Sequence, residues 1–156
     1  MIELDIPGVG EIRLAYLVAD FSGTLSVDGI IPPEIIDRLN SLAEILEIHI
    51  LTSDTHGKAK TALQRLNGTM QLLSGDRHDI QKEKYTRKLG AERVIALGNG
   101  NNDVLMLSSA RIGIAVCLNE GCSGKALAAA DILVTSIDDA LALLEHPARL
   151  KATLRV

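Results

Sequence analysis

The chain has 156 residues, 47% of them apolar and 23% charged. That length holds one domain with a sizeable core, and that composition excludes disorder and collagen-like repeats. Sixteen basic against twenty acidic residues leave a net charge of -4, which argues against a broad electrostatic footprint for nucleic acid or anionic lipid. Tyr16, Phe21 and Tyr85 are the only aromatic residues, so the stacking platform of single-strand nucleic-acid binders is missing as well.

Met1–Ile6 and Glu11–Leu14 flank Pro7-Gly8-Val9-Gly10, a pattern that predicts a small opening β-hairpin. This start has neither a basic end nor an apolar run of signal-peptide length, and no stretch reaches the roughly 18 apolar residues that cross a bilayer. A cytoplasmic protein is expected. Ala15–Ala19 is a near-continuous apolar run ending at Asp20, as in a strand covered on both faces of a parallel sheet. Pro32 and Pro33 open a helix whose apolar positions Ile35, Ile36, Leu39, Leu42, Ile45 and Leu46 follow helical spacing.

Strand and helix then alternate: a strand at Ile48–Thr52, a helix from Thr55 to Leu66 stopped by Asn67-Gly68, a strand at Met70–Leu73, a helix at His78–Leu89 and a strand at Val94–Leu97. Asn102–Ser108, Ile112–Val116 and Ile132–Val134 continue the pattern, and helices at Asp138–Leu144 and Pro147–Leu154 finish it. The expectation is a single α/β domain over residues 1–156, with the hairpin as 1–14 and a doubly wound, Rossmann-like parallel core as 15–150, helices on both faces. Ligands of such sheets bind at the carboxyl ends of the strands. The residues to weigh are therefore the polar ones that end strands.

Four strand ends carry such residues: Asp20 after the first core strand, Thr52 after the second, Lys82 near the start of the third helix, and Asn99 with Asp103 after the fourth strand. A carboxylate, a hydroxyl, a cation and an amide-carboxylate pair suit phosphoryl transfer, where catalysis is positioning plus neutralisation of spreading negative charge. Thr52 and Ser53 offer donors to phosphate oxygens. Lys82 and Lys84 are both candidates for the cation, and spacing favours Lys82, which shares a helix face with Tyr85 and Leu89. In Gly98-Asn99-Gly100-Asn101-Asn102-Asp103 the carboxylate, amide and carbonyl oxygens are ligands that Mg2+ accepts. Cys117 and Cys122 have no zinc or disulfide-scaffold spacing, and no pair among His49, His56, His78 and His146 has a ligand-like one.

These segments resemble, in order and spacing, the haloacid dehalogenase superfamily, and within it the phosphorylation domain of P-type cation-transporting ATPases. DFSGTL at Asp20–Leu25 is similar to that group's DKTGTL, LTSDT at Leu51–Thr55 to LTGDN, and GNGNND at Gly98–Asp103 to GDGxND. Ala110–Val116 and Ala129–Val134 resemble its AADVGIAM and AADIVL. The resemblance spans Tyr16–Leu150, and it implies a Mg2+-dependent phosphohydrolase. Asp20 would be the nucleophile that forms an aspartyl-phosphate, Thr52 and Lys82 its catalytic partners, and Phe21, Ser22, Thr52, Ser53 and Lys82 the phosphate-binding residues. Asp20, the Ser22 carbonyl and Asn99 or Asp103 would be the metal ligands.

Two departures bear on activity. Ser22 stands where phosphatases of the superfamily carry a general acid, and the loss of positioned acid-base catalysis costs about 100- to 10,000-fold. Asn99 replaces the first Asp of GDGxND and removes one charge from the metal site. A slow phosphohydrolase is expected, and the alternative is a non-catalytic phosphate-binding or phospho-accepting regulator. No cap domain fits between Asp20 and Thr52 or between Thr52 and Lys82; only the short Ser26–Ile31 flap is left over. A capless member suits a phosphorylated macromolecule, or borrows a cap from another copy of itself. The opening hairpin is the element expected to make such subunit contacts.

Overall fold

The computed structural model describes residues 1–156. Its first two strands, β1 (Ile2–Ile6) and β2 (Gly10–Leu14), form an antiparallel hairpin pairing Ile2 with Leu14 and Ile6 with Gly10. The remaining strands are β3 (Tyr16–Asp20), β4 (Glu47–Thr52), β5 (Thr69–Leu72), β6 (Val94–Gly98), β7 (Ile112–Val116) and β8 (Ile132–Val134). They make one parallel six-stranded sheet in the order β5-β4-β3-β6-β7-β8. The chain starts at the centre, winds outward through β4 and β5, then returns past β3 to β6. The sheet's switch point therefore lies between β3 and β6, where crossovers leave on opposite sides and a crevice opens at the carboxyl ends.

Side chains alternate across the strands, as the pleat requires. Leu17, Ala19, Ile48, Ile50, Ile95 and Leu97 face a large core shared with the hairpin's Ile2, Ile6, Ile12 and Leu14. The same core takes α1 (Pro33–Leu42), α2 (Lys58–Ala62), α6 (Ile137–Glu145) and α7 (Pro147–Leu154). Val18, Leu51, Val94 and Ala96 face the other side, against Met106, Leu107 and Ala126. That side is covered by α3 (His78–Leu89), α4 (Val104–Ser109) and α5 (Gly124–Ala129). Ala15, following β2, donates its N–H to Arg93 O and accepts from Glu47 N. The hairpin thus sits at the amino end of the sheet, opposite the edge where Asp20 ends β3, with its apolar residues turned into its own chain's core.

Three expectations about the helices differ. The helix from Pro33 stops at Leu42, and Ala43–Leu46 tighten into turns with Glu44 N bonding Ser41 O and Ile45 N bonding Leu42 O, so Ile45 is exposed instead of packed. The helix expected over Thr55–Leu66 is only Lys58–Ala62. Asp54 and Gly57 take left-handed backbone, and Asp54 caps the helix from outside by accepting from Ala59 N at 2.7 Å and Lys60 N at 3.1 Å. Gly124–Ala129, not anticipated as a helix, is started by Ser123, whose hydroxyl accepts from Ala126 N.

Candidate active site

The strand-ending residues converge. Asp20 closes β3, Thr52 closes the neighbouring β4, and the loop after β6 turns Asp103 back beneath Asp20. Lys82, on the first turns of α3, reaches between the two carboxylates: its Nζ lies 2.7 Å from Asp20 Oδ1 and 2.7 Å from Asp103 Oδ1. All three side chains are buried, with Lys82 at 1% and Asp103 at 0% exposure. Lys84, two residues on, is exposed. Helical geometry decides between them, because Lys82 and Thr86, four apart, form the buried stripe of α3.

Two carboxylates share one ammonium, so this buried cluster is short of positive charge. Burial first, then the Asp103 charge, pushes the Asp20 carboxyl up to about 7 against the pull of Lys82. Burial works against charge on Lys82, yet Asp20 and Asp103 outweigh it and hold the ammonium above the ordinary lysine range. Asp103 has both oxygens engaged, Oδ1 by Lys82 and Oδ2 by the N–H groups of Asn99 and Gly100 at 2.9 Å each. It acts as a brace for Lys82 and for the GNGNND turn.

Asn99 is held at both ends of its amide: Oδ1 accepts from Thr24 Oγ1 at 3.0 Å and Nδ2 donates to Gly121 O at 3.1 Å. Its backbone carbonyl also accepts from Ser123 N at 2.8 Å. The amide therefore ties the DFSGTL turn to the loop after β7. Gly23, at φ +76°, fits against it because a Cβ there would lie 2.5 Å from Asn99 Nδ2. Phe21 contributes only backbone at the site. Its ring is buried in the core, and its carbonyl accepts from Leu25 N, Ser26 N and Ser26 Oγ. The Ser22 carbonyl accepts no hydrogen bond, and its side chain is exposed.

Above the buried cluster a cleft of about 280 Å3 opens to solvent, lined by Ser22, Thr52 and Ser53 together with Asp28, His56, Lys58 and Glu120. Phe21 is its one hydrophobic lining residue. The flap is a tight hairpin in which Val27 and Ile30 bond reciprocally around Asp28 and Gly29, both with left-handed backbone. It is fastened on two sides, by Asp28 N donating to Glu120 Oε2 at 3.1 Å and by Lys58 Nζ donating to Asp28 O at 3.3 Å. Among the sequence candidates, Thr52 accepts from Asp54 N and Ser53 pairs with Thr55. Asp28, His56, Lys58 and Glu120 had not been singled out. The Asp28-Gly29 turn was a legible signal for the flap tip, whereas nothing local marks Glu120.

For a cation, the donor set is two carboxylates, one amide and one free backbone carbonyl, with no cluster of three acidic, His or Cys side chains. The negative excess of the Asp20–Lys82–Asp103 cluster and the unpaired Ser22 carbonyl fit a hard, oxygen-liganded divalent ion that keeps several waters. No helix is long and apolar enough to cross a membrane.

Comparison with known proteins agrees with this fold. Residues 78–142 match a family model described as haloacid dehalogenase-like hydrolase. An uncharacterized protein of Methanocaldococcus jannaschii is 46% identical over 77 residues, which are 49% of this chain and 77% of that one. The fold is similar to a cobalt-bound deoxy-D-mannose-octulosonate 8-phosphate phosphatase from Haemophilus influenzae, with a TM-score of 0.71 and 11% identity over 92% of this chain and 94% of that one. The corresponding phosphatase of Moraxella catarrhalis, crystallised with magnesium, phosphate and KDO, superposes with a TM-score of 0.65 and 19% identity over 91% and 94%. The catalytic domain of the CPx-ATPase CopB-B gives a TM-score of 0.60 and 27% identity over 75% of this chain and 46% of that one. These matches join in one conclusion: residues 78–142 carry the pattern of the haloacid dehalogenase-like hydrolases, and the parallel sheet as a whole has the fold of solved phosphatases of that kind.

Proposed function

We propose that this chain is a Mg2+-dependent phosphohydrolase that works through an aspartyl-phosphate on Asp20. The observation that carries the reading is the buried Lys82 ammonium 2.7 Å from both Asp20 and Asp103, beneath a polar cleft. Asp20 Oδ1 is held by Lys82, which leaves Oδ2 as the attacking atom. It forms a bond to phosphorus as the bond to the leaving-group oxygen breaks. Thr52 Oγ1 and the backbone at Ser53 and Phe21 hold the non-bridging oxygens. Lys82 keeps Asp20 oriented and offsets the charge that gathers during transfer.

Asp20, the Ser22 carbonyl and Asn99 Oδ1 would hold Mg2+, with Asp103 as the brace behind them. The ion would neutralise phosphoryl charge and bring Asp20 into its ionised form. With Asn99 neutral, one negative charge fewer holds it, so affinity is modest. Turnover is slow, because Ser22 cannot protonate a leaving group. The open cleft suits a phosphorylated group presented by a larger molecule. The subunit contacts assigned to the N-terminal hairpin would involve its charged outer residues Glu3, Asp5, Glu11 and Arg13, since its apolar ones are buried in its own core.

The test is phosphate release from acetyl phosphate and p-nitrophenyl phosphate, with and without Mg2+, in wild type and Asp20→Asn. Release that needs both Mg2+ and Asp20, faster from acetyl phosphate, supports the reading. An Asp20→Asn protein of full activity sinks it. Labelling of Asp20 without turnover would select the other reading, a phospho-accepting regulator, which is favoured by Ser22 at the acid position and by the engaged amide of Asn99.

A further inference from the structure

An aspartyl-phosphate is hydrolysed quickly when a positioned base takes the proton of the attacking water, and at the usual position Ser22 offers none. The cleft supplies other titratable groups. Asp54 has both oxygens committed to the amides of Ala59 and Lys60. Asp28 and His56 stand on the border with a second, outer groove that runs over the flap tip at Ile30 toward Thr61. Glu120 lines the inner cleft, shared with Ser22 and Thr52, and is absent from the outer groove.

Its setting suits the task. Glu120 Oε2 accepts the Asp28 N–H at 3.1 Å, which fixes the carboxylate across the cleft while Oε1 has no partner. None of the ion pairs in the fold involves Glu120. The loop that bears it is anchored to the site by Asn99, which donates to Gly121 O and accepts from Ser123 N. The group that would hold the metal position thus also sets the height of Glu120 over the cleft.

We infer that Glu120 is the general base for hydrolysis of the aspartyl-phosphate, in the place that Ser22 leaves vacant. The inference rests on Asp20 being the nucleophile. In the step, a water oxygen forms a bond to phosphorus and its proton passes to Glu120 Oε1. The bond from phosphorus to the Asp20 oxygen breaks and returns the carboxylate. Inorganic phosphate leaves, and Glu120 gives its proton to solvent.

The experiment separates the two steps with acetyl [32P]phosphate and Mg2+ in rapid-quench mixing. Glu120→Gln keeps an oxygen for the Asp28 N–H, so label should reach Asp20 at the wild-type rate and then leave about 100- to 10,000-fold more slowly. Glu120→Ala should show the same block, relieved by added formate, which a purely structural role would not produce. Release from Glu120→Gln at the wild-type rate overturns the inference, and so does a block seen instead in Asp28→Asn or His56→Asn. Absence of label from wild type itself removes the nucleophile reading, and the base assignment falls with it. Normal labelling combined with normal release in Glu120→Gln leaves Asp20 standing and rejects Glu120 alone.

Discussion

In the metal-free protein, the carboxylate proposed as the nucleophile should also be a burden on the fold. Asp20 is pushed from 3.8 to about 7, chiefly by burial and then by Asp103. A carboxyl whose folded value is raised binds its proton more tightly in the native state than in the unfolded one. Stability therefore falls as pH rises from 3.8 toward 7, and the penalty is complete above that. Between pH 5 and 7 the loss is about 1.4 kcal/mol per pH unit, or about 3 kcal/mol in all as a ceiling. Asp20→Asn removes this dependence. It also replaces a charge-assisted bond to Lys82, an offset that does not vary with pH. The quantity to follow is thus the difference between variant and wild type, measured by thermal unfolding in EDTA from pH 5 to pH 8. It should move in the variant's favour by up to about 3 kcal/mol, at about 2–4 °C per kcal/mol for a chain of this size. Mg2+ at pH 8 should raise the wild-type midpoint more than the variant's. A difference that stays flat, or that moves toward wild type, would refute the electrostatic account of the cluster.

Removing the shared cation should be far worse than removing one anion. Lys82→Met leaves Asp20 and Asp103 facing each other without a counter-charge, and urea titration should show a loss of about 3–5 kcal/mol, whereas Lys84→Met stays within about 0.5 kcal/mol of wild type. His49 is buried on β4 with Nδ1 bonded to the Tyr85 hydroxyl and Nε2 without a hydrogen-bond partner. Burial lowers its pKa below 6.5 against the opposing charge of Glu47, so the fold should lose stability as pH falls below 6.5, a loss that denaturation curves of His49→Gln should show reduced. Restoring the acidic residue in Asn99→Asp should not simply improve metal binding. It sets a carboxylate oxygen against the Gly121 carbonyl, and amide exchange in Leu118–Ser123 should accelerate even where calorimetry finds Mg2+ bound more tightly.

Much of the site was legible because a parallel sheet puts strand ends on one edge. Asp20, Thr52, Asn99 and Asp103 each follow an apolar run, and helical spacing selected Lys82 over Lys84. What the sequence concealed came from side chains acting across distance. The start of α2 is set by a left-handed Asp54 capping amides five and six residues on, so the pattern Thr55–Leu66 overstated the helix at both ends. Glu120 reaches the flap amide of Asp28, 92 positions away in sequence. No local pattern encodes such a contact, since loop-to-loop meetings follow from where the sheet delivers its crossovers.

Asn99 shows why a departure from a family pattern is more than a loss. Read along the chain, it is an Asp that has lost its charge. In the fold its amide does what a carboxylate cannot, accepting from Thr24 on one side while donating to Gly121 O on the other. The donated bond secures the loop bearing Glu120, and Glu120 secures the flap through Asp28 N. One neutral residue therefore links the turn after Asp20, the loop after β7 and the flap into a continuous chain of hydrogen bonds around an otherwise open cleft. A capless fold has no separate domain to order the groups above Asp20, so this linkage has to come from the core itself. Weaker metal binding would be the physical counterpart of that bracing in the proposed Mg2+ site, because the same side chain cannot both carry the second charge and donate to the loop.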